Sequence, residues 1–106
     1  MVKRIWRGWT DCERADAYIN LLKTFVFPGI EAKQIAGYRG IQLLRKEHPA
    51  EVEFMTIMTF DSIENVIAFQ GEDYEKCYVP DEARKILKRW DEVSSHYAVE
   101  ETRSYE

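Results

Sequence analysis

The chain has 106 residues, a formal net charge of −4 and an isoelectric point near 5.3. That length gives one domain with a modest core, and the acidic balance argues against nucleic acid as the main partner, because phosphate binding needs a concentrated basic patch. No apolar run approaches the ~20 residues of a membrane span, the N-terminus has no signal-peptide pattern, and two cysteines make no disulfide framework, so the expected setting is a reducing cytoplasm with no membrane partner. Fourteen aromatic residues (three Trp, six Tyr, five Phe) suit a pocket for a flat ligand and a well-filled small core equally well.

Residues 2–9, VKRIWRGW, alternate Val2, Arg4, Trp6 and Gly8 against Lys3, Ile5, Arg7 and Trp9. This is the period of a strand with bulk on both faces. Thr10 and Glu13 have capping-box spacing. Ala15, Tyr18, Ile19, Leu22, Phe25 and Val26 follow with helical spacing, and Pro28-Gly29 is expected to end the helix. GYRGIQLLRK from Gly37 reads as a second strand, KEHPAE as a turn and VEFMTIMTF as a third strand rich in β-formers. Asp61 and Glu64 mark another helix start, with Ile63, Val66, Ile67 and Phe69 as its apolar side.

AFQGEDYEKCYVP, residues 68–80, breaks that helix. Gly71 fits a C′ position, where positive φ costs little. Glu72 and Asp73 suit the positive end of the next short turn, and Pro80 the first turn of a final helix. No metal site is expected there, since Glu72, Asp73 and Glu75 lack the spacing of a calcium loop. One glycine without a Lys-Ser/Thr pair makes no phosphate loop, and Cys77 has no local base, so it reads as an inert thiol. Ala83, Ile86, Leu87, Trp90 and Val93 fit a closing helix, and SHYAVEETR a last strand.

The order strand, helix, strand, strand, broken helix, strand is the ferredoxin-like βαββαβ pattern, an α+β fold with an antiparallel sheet in one domain over residues 1–106. Its helices cover one sheet face only. Strand three carries Phe54, Thr56, Met58 and Phe60 on one side and Met55, Ile57 and Thr59 on the other, and neither side suits water. A second sheet over the open face, most simply a homodimer through sheet faces, is therefore expected.

IWRGWT, ADAYINLL, GYRGIQLLRK, EFMTIMTFDSIENVIAFQGEDYEKCYVP and HYAVEE, in this order and spacing, resemble the antibiotic biosynthesis monooxygenase family over roughly residues 3–101. The resemblance implies a dimeric α/β barrel. It also implies cofactor-independent oxidation of a small phenol, quinol or anthrone by dioxygen, with no flavin, heme or metal. Relatives often carry Trp where Phe60 stands, and heme-degrading members of the superfamily use an axial histidine where this chain offers Cys77, which argues against heme degradation.

Under that reading His96 is the candidate base, since it is the best titratable group near neutral pH if it faces the cavity. Arg4 and Trp6 share one strand face and are candidates to hold an anion and stack on a ring. Phe54, Thr59 and Phe60 complete the candidate substrate-binding set, although the strand face that points inward is not fixed by the pattern. Each has a structural alternative. His96 can be a hydrogen-bonded structural residue, Trp6 a core or interface residue, and Arg4 the partner of an acid. Arg39 can pin strand to helix through a carboxylate such as Asp73, Tyr18 reads as core, and His48 reads as a turn residue. A non-catalytic dimer that binds a small molecule is the alternative function, and the state of the cavity decides between them. Converging polar groups favour an enzyme, and a cavity filled by aromatics opposes it.

Overall fold

The computed structural model describes residues 1–106. Strand β1 (Val2–Thr10) leads through a 3₁₀ turn into helix α1 (Ala15–Leu21), which runs through a wide π segment (Leu22–Val26) into α2 (Phe27–Ala32). Strands β2 (Tyr38–Glu47) and β3 (Val52–Phe60) form a hairpin, then come α3 (Ile63–Gln70), the one-turn α4 (Asp81–Arg84), and short strands β4 (Arg89–Trp90) and β5 (Ser95–Ala98). The sheet order is β2-β3-β1, with β4 and β5 both on the free edge of β1, and every pairing is antiparallel. This is the ferredoxin-like α+β fold expected from the element order.

Register fixes the faces. Val2, Arg4, Trp6, Gly8 and Thr10 pair with Phe60, Met58, Thr56, Phe54 and Val52, so these ten residues share one side of the pleat. The helices cover that side. One buried cluster joins Tyr18 and Leu22 of the helical layer to Val52, Phe54, Val79, Ala83 and Leu87, and a smaller one joins Met58, Phe60 and Val66. The opposite side carries Ile5, Trp9, Met55 and Ile57, all half-buried, and the exposed Leu44, with no layer of the chain above them.

Five expectations are corrected. The helix does not end at Pro28-Gly29. Pro28 lies in the first turn of α2, and the π segment just before it widens the turn where proline's missing N–H and its ring would break an α-helix. The Thr10–Glu13 capping box is absent, because Thr10 belongs to β1 and its buried hydroxyl has no partner; nothing in the structure explains that orphan. The helix expected over 83–93 is a single turn, since the backbone of Lys88 and Asp91 donates instead to Trp9 and Arg7 at the edge of β1. The last strand stops at Ala98 and does not reach Arg103. Arg39 pairs with Asp61, at 2.8 and 2.6 Å, and not with Asp73.

Two glycines meet real conformational demands. Gly71 closes α3 as its C-cap, one position earlier than the expected C′, with a φ of 93° that favours glycine. Gly37 has φ 76°, and a Cβ there would clash with the Asn65 side chain, so the entry to β2 packs directly on α3.

Candidate functional site

Between the sheet and the helices lies a cavity of about 430 Å³, two-thirds of whose 21 lining residues are hydrophobic. Its floor is the covered sheet face, with Arg4, Trp6, Ile41, Thr56 and Met58. Its roof comes from the π segment and α2, whose wide turn brings Phe25, Val26, Phe27 and Ile30 onto the same space. Trp6 is held by its indole N–H, which donates to the Asp91 carbonyl at 2.7 Å. Gly8 makes room for the ring, since a Cβ there would meet the indole and Leu87 at 3.0 Å.

Arg4 is the unusual member. It is 5% exposed and has no carboxylate within ion-pair distance. Its Nη1 donates to the Tyr74 carbonyl and to His96 Nε2 (2.9 Å), and its Nη2 to the Lys76 carbonyl at 3.2 Å. Nε–H has no protein acceptor. The carbonyls come from the segment between α3 and α4, tied down by a bridge between Lys76 and Val93 and by Ser94 N–H donating to Glu75 O at 2.7 Å. The helix break therefore has a role that its residue types did not reveal, because it acts through its backbone.

His96 pairs with Arg4 across β1 and β5. As an acceptor at Nε2 it carries its proton on Nδ1. Its pKa is lowered from the ordinary 6.5, first by burial and then by the charge of Arg4, with Glu75 opposing. Burial likewise lowers the pKa of Arg4, though Arg4 remains a cation. Tyr74 packs edge-on against the imidazole at 5.1 Å.

Cys77 and Ser94 also line this corner, with Sγ and Oγ 2.9 Å apart. Burial raises the Cys77 pKa, against the opposing effects of the Ser94 contact and the Arg4 charge, so the thiol is protonated at neutral pH. Neither residue stood out in the sequence as a cavity residue. Period-two alternation back from His96 reaches Ser94, but no local pattern places Cys77 opposite it.

Of the six candidate residues, the structure brings Arg4 and Trp6 together in the lining. His96 lies behind Arg4 and does not line the cavity. Phe54 and Phe60 are buried in the two core clusters, against Tyr18 (5.0 Å) and Phe69 (5.9 Å), and reach the cavity only through those neighbours. Thr59 is a correction. It faces the opposite side of the sheet, where its hydroxyl accepts from Lys3 Nζ at 2.7 Å. No group of three or more His, Cys, Asp or Glu side chains converges as a metal site would require. His48 pairs with Glu53 at 2.9 Å, away from the cavity.

A ferredoxin-like sheet, one covered face and a cavity floored by a strand arginine define the structural class. No protein-family model matches the chain, and no curated protein does. Among solved structures, a Bacillus cereus protein provisionally assigned as an antibiotic biosynthesis monooxygenase superposes with a TM-score of 0.65, covering 99% of this chain and 95% of its own, at 11% identity. That likeness shows a shared fold.

The lowered His96 pKa fixes the sign of a stability effect. A histidine that binds its proton less readily when folded gives stability that is present above the unfolded pKa of about 6.5 and is lost as pH falls from there toward the folded pKa. Urea denaturation across pH 5–8 should show that acid decline, and His96→Gln, which keeps an acceptor for Arg4, should flatten it. An identical decline in the variant would show that His96 does not carry it.

Proposed function

We propose that the protein is a monooxygenase-like enzyme that oxidises a small electron-rich aromatic, a phenol, quinol or anthrone, with dioxygen and no cofactor. The observation that carries this reading is Arg4, a buried cation without a counter-ion on the floor of a largely apolar cavity. Burying an uncompensated charge costs on the order of several kcal/mol. A bound anion would offset that cost, so the site favours the phenolate over the phenol. The apolar walls and the Trp6 ring suit a flat aromatic body.

The chemistry then belongs to the substrate. The aromatic anion gives one electron to dioxygen, the two radicals combine, and the peroxide collapses. An anthrone CH₂ and O₂ become a carbonyl and water, with no external reductant. Arg4 stabilises the starting anion and the peroxide. His96, the candidate base, serves in this reading as a positioning residue that holds the guanidinium against the Tyr74 and Lys76 carbonyls. The proton leaves with water at the mouth.

A second reading has its own support. Tyr18 and Cys77 line the cavity and both hold their protons more firmly than usual because they are buried. Neither offers a ready base at neutral pH, which suits a module that binds an aromatic anion without turning it over.

Oxygen uptake by chelator-treated protein over a panel of hydroquinones and anthrones separates the two. The enzyme reading expects saturable uptake, reduced about 100-fold or more in Arg4→Met, with folding checked by circular dichroism. Aromatic binding without uptake would leave the binding module standing, and uptake unchanged in Arg4→Met would remove Arg4 from the chemistry.

We also propose a homodimer through the uncovered sheet face. Ile5, Trp9, Met55 and Ile57 lie, among Lys3, Arg7 and Glu53, on a sheet face that no layer of the chain covers, and a second copy would bury them. Light scattering should give twice the mass of the chain, and Ile57→Lys, a charge placed in that face, should give the monomer. A monomeric wild-type protein at micromolar concentration would contradict the assembly.

A further inference from the structure

The charge lining the cavity is of one sign. The chain has nineteen acidic residues, and none of them lines it. The two charged residues that do are Arg4 on the floor and Lys33 at the C-terminal end of α2. Lys33 is exposed, with Nζ 5.3 Å from the centroid of the Phe69 ring, and it too has no carboxylate within ion-pair distance. Phe25 and Tyr78, 52% and 81% exposed, are large apolar side chains of the same lining left open to water.

A neutral aromatic would pair with neither cation, and a phenolate at Arg4 would pair with only one. Phe25 and Tyr78 offer such a ligand open apolar surface in the same lining, and an acidic group on it would find Lys33 there. We propose that the ligand is an aromatic hydroxy acid, with an ionisable hydroxyl at Arg4 and a carboxylate at Lys33. This rests on the aromatic-anion reading above and adds to it the second acidic group, and with it selectivity against esters and amines of the same ring.

The test uses binding, so that it does not depend on turnover. Isothermal titration calorimetry compares 6-hydroxy-2-naphthoate with its methyl ester at low salt. The acid should bind about fivefold more tightly, the scale of one partly exposed ion pair. In Lys33→Met the acid-over-ester ratio should fall to near one, and in Lys33→Arg it should return. Lys33 is exposed, so these variants are expected to fold. Equal affinity for acid and ester in the wild type would overturn the inference and leave the phenol reading intact. A preference that survives Lys33→Met would overturn the assignment of the carboxylate to Lys33. Absence of binding by both compounds would overturn the inference and the aromatic reading together.

Discussion

One buried guanidinium organises this molecule. Arg4 stands on β1, the strand that pairs with three of the other four, and it faces the helices, where an apolar residue would be the ordinary choice. A charge in that position needs compensation. The chain supplies two backbone carbonyls and a neutral imidazole, and no carboxylate. Those acceptors orient the charge without cancelling it. The result is a positive field inside an apolar space, an arrangement that costs folding stability and is useful to an anionic ligand.

Much of the architecture serves that placement. The segment after α3 must turn back so that Tyr74 and Lys76 aim their carbonyls at β1, and Gly71, at a backbone conformation other residues resist, begins that turn. The strand-like bridge from Lys76 to Val93 then holds it against the chain leading into β5. The same pairing delivers His96 to Arg4 through β5 and brings Ser94 to Cys77. On the other side, the π segment ahead of Pro28 keeps the helix continuous while changing which residues it turns toward the sheet. The cavity is thus bounded by two local irregularities, a helix break and a helix widening.

These irregularities also explain what the sequence could reveal. Period-two alternation is a property of each strand alone, so the faces of β1 and β3 were legible, with Arg4 and Trp6 on one side and Met55, Ile57 and Thr59 together on the other. Which face meets the helices is not legible, because both carry apolar residues, and the pattern alone therefore does not show that Thr59 lies on the uncovered side. Pro28-Gly29 reads as a stop because proline lacks an N–H, and the compensating π turn leaves no mark in residue type. Ala83, Ile86, Leu87 and Trp90 have helical spacing, but the unpaired edge of β1 competes for the backbone near Trp90, a tertiary effect that a local pattern does not contain. The carbonyl cradle of Arg4 is the extreme case, since any residue has a carbonyl and only the fold decides where it points.

The central claim is that Arg4 offers an uncompensated positive charge to a ligand inside the cavity. The most direct measurement is the ionisation of a bound chromogenic phenol. A nitrophenol absorbs differently as the phenol and as the phenolate, so titrating it from acid to neutral pH with and without excess protein reads its pKa in both states. The expected result is a bound pKa lower by about one unit or more, with the shift lost in Arg4→Met. A bound pKa equal to the free value, or raised as burial in a neutral apolar pocket would raise it, would contradict the account.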